Sequence, residues 1–263
     1  MPYYYLIAFN LKEEIFSDQR VRQALNFAVN KEEIIAKVLR GQGQIAAGTI
    51  FPGSWAYNPN LKPYPYDPKR ALTLLVESGW EDHDGDHFLD KDGRPFEFTV
   101  HVNAGDDIKQ KALLLIQQQL LDIGIGMKIA LFDAADTGFL FRKKFQAFLP
   151  EIAARGDPDF SYKHWHSSQI ERGVNVSSYR NREVDRLLED GRAEFDQERR
   201  KALYYTYQEE ILKDPPGIFL FRTNYLVGVH QRFKGVQISP VGPFANIREW
   251  YVPKAEQRYK KNE

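Results

Sequence analysis

The sequence predicts an α/β fold, and three observations carry the prediction. Helix-patterned and strand-patterned segments alternate: the helical run Ile108 to Asp122 precedes Met127-Lys128-Ile129-Ala130-Leu131, and a helix opening at Asp67-Pro68 precedes the alternating run Phe96 to Val102. The stretch Phe16 to Gly41 carries two helical stripes in succession, which need a large apolar surface to lie on. Short runs rich in aromatic and aliphatic residues, at Tyr3 to Phe9, Phe145 to Leu149 and Ile218 to Phe221, supply strands for that surface.

Within Phe16 to Gly41, Val21, Leu25, Ala28 and Val29 recur at helical spacing, Ser17 or Asp18 caps the start, and Arg20 and Arg22 are placed toward water. Asn30 caps a second helix, with Glu33 positioned to return the bond; Ile34, Ile35, Val38 and Leu39 form its stripe and Gly41 ends it in the left-handed conformation. Gly41 to Pro68 is a Pro- and Gly-rich linker, which Trp55 and Tyr57 are expected to hold against the helix pair.

Asp67 caps the following helix with Pro68 in its first turn, Ala71, Leu72, Leu74 and Leu75 face inward, and Gly79 closes it. Asp106 or Asp107 starts the next, with Leu113, Leu114, Ile116, Gln117 and Leu120 on the inner side. Thr137 to Lys144 predicts a short helix. Asn181 to Ala193 and Asp196 to Lys213 predict two more, the second stopped by Pro215-Pro216. Ile218 to Phe221 and Leu226 to Val229 predict two final strands, and Phe233 to Val252 an irregular tail anchored by Phe244, Ile247 and Trp250. From Pro150 to Tyr179 periodicity disappears while Gly, Asp, Ser, Asn and His accumulate, so a functional loop region is expected there.

The totals exclude several classes. At 263 residues with 43% hydrophobic content the chain can bury a core as one large or two smaller domains. Lys plus Arg and Asp plus Glu are both 36, so no overall field draws the chain to a nucleic acid. The absence of cysteine removes disulfides, thiolate catalysis and cysteine metal sites. No apolar run approaches the ~18 residues of a membrane span, and the start lacks the pattern of a secretion signal. The abrupt opening, Met1-Pro2 and then a strand, reads as a cut inside a longer protein. The unusual component is aromatic, with 14 Tyr, 18 Phe and 4 Trp, and it suits a bulky core or a recognition cleft.

No motif supports catalysis. Asp82-x-Asp84-Gly85-Asp86 begins like a calcium loop, but His87 stands where that loop needs glycine and Gly93 where it needs a bidentate glutamate, so a solvated turn is expected. His164-x-His166, with Asp157 and Asp159 nearby, lacks a third ligand at defined spacing; on a strand the two imidazoles would share a face. Nucleophile elbow, zinc-protease and phosphate-loop patterns are missing, so no enzyme, metal or cofactor is assigned.

Several pieces are familiar together: FSDQRVRQALNFAVNKEEIIAKVLRG, FPGSWAYNPN with YPYDPKRALTLLVESGW, DHDGDHFLDKDGRPFEF, IQQQLLDIGIGMKI, GDPDFSYKHWHSSQ, NREVDRLLEDGRAEFDQERRKALYYTYQEEILKDPPGIFLF and FKGVQISPVGPFANIREWYV. In this order and spacing the chain resembles the C-terminal portion of the dipeptide/oligopeptide-binding solute receptors of ABC importers, extracellular solute-binding protein family 5. The resemblance implies a type II periplasmic-binding-protein-like lobe, a mixed sheet flanked by helices. Residues 1–213 would form the second, ligand-closing lobe, and 214–263 a returning segment that packs on a first lobe outside this sequence. It implies an exported protein, in the periplasm or on the outer face of the cytoplasmic membrane. Such a protein closes its lobes on a peptide and delivers it to a membrane permease, without chemistry. Relatives of this fold also take nickel complexes, haem, sugars and opines, and a sensing module that has lost transport is the alternative.

Family members commonly carry Gly-Trp after the strand matching Phe145 to Leu149, then an acid that binds the peptide amine. Here Glu151-Ile152 stands at that place and the nearest acids are Asp157 and Asp159. The resemblance therefore assigns the amine to Asp157, with Ile152, Asn103, Trp165, His166 and Asn175 as further cleft residues. A lobe alone leaves the strands Ile218 to Phe221 and Leu226 to Val229 without neighbours, so self-association through them is expected.

Overall fold

The computed structural model describes residues 3–133, 135–153, 156–224, 226–239 and 242–258. β1 (Tyr3–Phe9) leads through a 3-10 turn to α1 (Gln19–Ala28), α2 (Lys31–Lys37), β2 (Gly43–Ile45) and α3 (Pro68–Glu77). A small ribbon, β3 (Asp90–Lys91) with β4 (Arg94–Pro95), precedes β5 (Glu97–Asn103), α4 (Asp107–Leu121) and β6 (Gly126–Phe132). Then come α5 (Gly138–Phe141), β7 (Ala147–Phe148), β8 (Glu151–Ala153), α6 (Phe160–Trp165), α7 (Gln169–Arg172), α8 (Arg182–Ala193), α9 (Gln197–Lys213) and β9 (Gly217–Thr223).

The main sheet runs β2-β9-β1-β7-β5-β6, with β8 pairing β1 beyond the end of β7. β5 is parallel to both β6 and β7, whereas β1 is antiparallel to β7, β8 and β9, so the sheet is mixed as expected. Period-two alternation sends β1 side chains to opposite faces. Ile7 and Phe9 join the core formed with α1 to α4, while Tyr4, Leu6 and Ala8 join the core formed with α5, α6, α8 and α9. Phe9 stacks on Phe16 at 4.3 Å, and Phe16 meets Phe98 edge-on at 5.3 Å, which seats the α1 entrance on β1 and β5.

Caps resolve the local alternatives. Asp18, rather than Ser17, accepts from Arg20 N at the start of α1, and Asp106 accepts from Lys109 N at the start of α4. Asn30 accepts from Glu33 N at 2.9 Å, but Glu33 does not return the bond: Gln119 of α4 accepts from Asn30 N at 3.0 Å and donates to Glu33 at 2.7 Å. The joint between α1 and α2 is thus closed by a residue remote in sequence.

Several expectations change. Arg22 is buried, because α1 turns it toward the start of β9, where it pairs with Asp214 and donates to Pro215 O (3.0 Å) and Phe16 O (2.6 Å). Leu114 lies on the outer side of α4, 58% exposed, while Gln119 takes an inner position. Trp55 packs on Tyr204 of α9, edge-on at 6.1 Å, instead of on the helix pair; Tyr64 fills that role, edge-on to Phe27 at 4.8 Å. The strand expected over Phe145 to Leu149 is shortened to β7, and a separate strand, β8, follows Pro150 in the region expected to be loop. Two helices of six and four residues lie in the region expected to be loop; each is too short to show periodicity.

The expected unpaired strand Ile218 to Phe221 has neighbours: β9 pairs with β1 from Gly217 to Arg222 and with β2 from Phe221 to Thr223, and Ile218 to Phe221 are buried. Self-association through it has no basis. Leu226 to Val229 forms no strand, and in the tail Phe244 and Ile247 are exposed instead of anchored. Phe233 and Phe244 flank Trp250 at 6.1 and 5.7 Å, and Trp250 Nε1 donates to Asn246 at 2.8 Å, so the tail forms its own small cluster. Among the described residues no helix is long and apolar enough to cross a membrane.

Two buried cations yield predictions. Removing one partner of a buried ion pair leaves the other charge unpaired, so Arg22→Met is expected to cost about 3 kcal/mol in urea unfolding, and the exposed Arg20→Met clearly less. Equal costs would contradict the burial argument. Lys31, 1% exposed, donates to Asn26 O at 2.7 Å and Tyr64 O at 3.2 Å, and burial lowers its pKa from the ordinary lysine value to about 8. The unfolded chain therefore binds more protons between that value and the ordinary one, and stability rises with pH there. Relative to Lys31→Met, the native chain is expected to gain stability from about pH 8 to about pH 10, measured by urea midpoints; a constant difference would refute this.

Candidate functional site

In an open α/β sheet the crevice lies beyond the carboxyl ends of parallel strands, where consecutive connections leave on opposite faces. Here α4 crosses from β5 to β6 on one face, and α5 crosses from β6 to β7 on the other. The crevice therefore falls where β5 and β7 end, near Asn103 and Leu149. Because β1 is antiparallel to β7, and β9 to β1, this is also the end where β1 begins and β9 finishes.

β8 lies at this end, paired through Tyr3↔Ala153, Tyr4↔Ile152 and Tyr5↔Glu151. Among the described residues β1 is its only ladder partner, so its other edge is open. The two faces of β8 differ sharply. Glu151 points to the α4 face, where Lys109 Nζ lies 3.2 Å from its carboxylate and 3.0 Å from that of Asp106. The Lys109 side chain is only 8% exposed and sits 5.7 Å from the centre of the Tyr5 ring, while Glu151 is 45% exposed. Two carboxylates thus face one ammonium, a local excess of one negative charge. Burial, then the charge of Glu151, raises the pKa of Tyr5, which keeps that phenol neutral.

On the opposite face of β8, Ile152 lines a mainly apolar pocket of about 210 Å³ with Leu140, Phe141, Phe148, Trp165 and Val176, which Glu151 and His164 also border. Trp165 is 2% exposed and edge-on to Tyr179 at 6.2 Å. Of the residues expected from sequence, Ile152 and Trp165 are brought together here.

The others take different places. Asn103 ends β5 and accepts from Gly105 N at 2.8 Å, shaping the turn into α4. Asn175 is fully buried, donating to His166 O and Tyr179 O and accepting from Tyr179 N, so it staples its own loop. His166 is buried between Ser168 Oγ (2.8 Å) and Glu189 (3.1 Å) and stacks on Tyr162. Asp157 sits in a separate hollow with Tyr162, Lys163, Arg192 and Arg200, both carboxylate oxygens bonded to Arg200 at 2.9 and 3.1 Å. Burial opposes its charge, but the bonds from Arg200 and Asp159 N outweigh it and hold the acid below the usual range. Asp159 pairs with Arg192 at 2.8 Å.

His164 and His166 stand on and just after α6, not on a strand, and each engages its own surroundings. Carboxylate oxygens of the exposed Asp82, Asp84 and Asp86 lie within 4.8 Å of one another, and oxygens of these residues accept backbone N–H groups of Gly85, His87, Asp86 and Phe88. Lys109, Asp106 and the charge of Glu151 were not among the expected site residues. Only the Asp106/Lys109 spacing on one helix was a visible signal. Lys109→Met leaves Asp106 and Glu151 facing each other unneutralised, so a stability loss of about 3 kcal/mol is expected in urea unfolding at pH 7, and a loss below about 1 would contradict the assignment.

Comparison with known proteins agrees with this architecture. The family model described as bacterial extracellular solute-binding proteins, family 5 Middle, matches residues 1–172. The oligopeptide-binding protein AppA of Bacillus subtilis (strain 168) is 32% identical over 256 residues, 95% of this chain and 47% of that protein. The structure of B. subtilis AppA in complex with a nonapeptide superposes with a TM-score of 0.83 at 31% identity, covering 96% of this chain and 51% of that one. NikZ from Campylobacter jejuni in complex with Ni(L-His) gives a TM-score of 0.80 at 30% identity, covering 94% and 51%. The chain spans about half the length of these relatives. With its mixed sheet, its crevice at the β5 and β7 ends and a family match over most of its length, this chain belongs to the bacterial extracellular solute-binding proteins of family 5, of which it forms about one half.

Proposed function

We propose that this chain is the second, ligand-closing lobe of an extracytoplasmic receptor that captures peptides and passes them to the permease of an ABC importer. The observation that carries the proposal is the open edge of β8, set at the mouth of the crevice. An extended ligand can add to such an edge as a further strand, using backbone groups that every peptide shares. Recognition of that kind accepts many sequences, because only side-chain subsites discriminate.

A first lobe outside this sequence would supply the opposite wall, which accords with the half-length match to relatives. Contacts with the second wall exist only in the closed state, so the ligand shifts the hinge equilibrium by its differential affinity. Closure excludes water and strengthens the charged contacts at Glu151. Residues 1–213 with β9 would form the closing lobe, and the remainder after β9 the returning segment, whose exposed Phe244, Ile247 and Tyr251 suit burial against the other lobe. Asp157, committed to Arg200, would brace the loop beside the cleft. A compact metal chelate is the second reading, favoured by the likeness to a relative holding Ni(L-His).

The test is calorimetric titration with di- to pentapeptides and with Ni(L-His). For this chain alone, lacking half of the contacts, peptide Kd values in the millimolar range are expected, each tenfold loss being about 1.4 kcal/mol. For a chain carrying both lobes, micromolar peptide affinity is expected. Saturable binding of the chelate with none of any peptide would overturn the peptide proposal.

A further inference from the structure

The two faces of β8 are chemically opposite, and a strand laid on its open edge alternates its side chains between those faces. Glu151 opens to the α4 face with the excess negative charge of the Asp106–Lys109–Glu151 group. Pro150 and Ile152 border the mainly apolar pocket on the other face, at the same level of the strand, and Glu151 also touches its rim. At about 210 Å³ that pocket is smaller than the 300 Å³ or more typical of a whole small-molecule site, and suits one side chain. Phe141, 58% exposed, stands at its mouth, so the pocket opens outward.

Resting on the peptide function proposed above, we infer that the site selects extended peptides in which an apolar side chain is flanked by a basic one. The apolar group fills the Ile152–Trp165 pocket. The neighbouring ammonium or guanidinium, directed to the other face by strand alternation, completes the charge balance at Glu151. Lys109 acts as a positioning residue: buried and fixed between two carboxylates, it holds Glu151 at the strand edge without neutralising the group. An acidic neighbour in the peptide meets like charge, so discrimination comes from repulsion as well as attraction.

The test uses chemical-shift titration of this chain, which reads millimolar affinities, with three probes bearing identical free termini: Ala-Lys-Leu-Lys-Ala, Ala-Glu-Leu-Glu-Ala and Ala-Lys-Gly-Lys-Ala. The first is expected to bind about tenfold more tightly than either of the others, a charge-assisted contact being of that order. In Glu151→Gln the preference for the Lys probe over the Glu probe falls to about unity. In Val174→Trp, which fills the pocket lining, the preference for Leu over Gly is lost while the charge preference stays. Equal affinity of the Lys and Glu probes in the native chain, or a preference unchanged by Glu151→Gln, overturns the inference and leaves the peptide function standing. Failure of every probe to bind removes both.

Discussion

The whole structure depends on one strand that serves three partners. β1 pairs with β9 along one edge, and along the other with β7 near Phe9 and with β8 near Tyr3 to Tyr5. Both of its faces are covered, so a register slip would drive Tyr4, Leu6 and Ala8 into the core built for Ile7 and Phe9. This fixed register places the parallel β5–β7 unit against an antiparallel ribbon. It also brings the start of β1, the end of β9 and the carboxyl ends of β5 and β7 to the same side of the molecule.

That convergence explains why the candidate site is where it is. β7 ends after pairing with β5, Pro150 breaks the ladder, and β8 continues beside β1 alone. The result is a short strand held firmly on one edge and open on the other. The polar side is fixed by a buried ammonium on α4, the apolar side by an aromatic pocket between α5 and α6.

Much of the fold was legible, because its signals are local. Asp67 caps its helix as expected, Asp106 is the one of its two candidates that caps α4, Asn181 and Asp196 cap the helices expected to begin there, and the stripes of α1, α3 and α8 face the core. What escaped was decided by contacts between distant segments. Arg22 is buried because Asp214 and three backbone carbonyls meet it there, and nothing in the helical pattern of α1 announces them. Gln119 closes the α1–α2 joint for the same reason. Within the candidate site, Ile152 and Trp165 were expected from family resemblance and line one pocket, whereas Glu151 and Lys109 are separated by 42 positions of irregular spacing and come together through the pairing of β8 with β1. Asp157, conspicuous in sequence, is absorbed by Arg200 from α9.

Amide hydrogen exchange bears most directly on the idea that solute is held along β8. Adding a binding peptide should slow exchange within Glu151–Ala153, with the core of β9 unchanged because it is already buried and paired with β1. Protection confined to the Asp157 hollow, with β8 exchanging as before, would contradict the account.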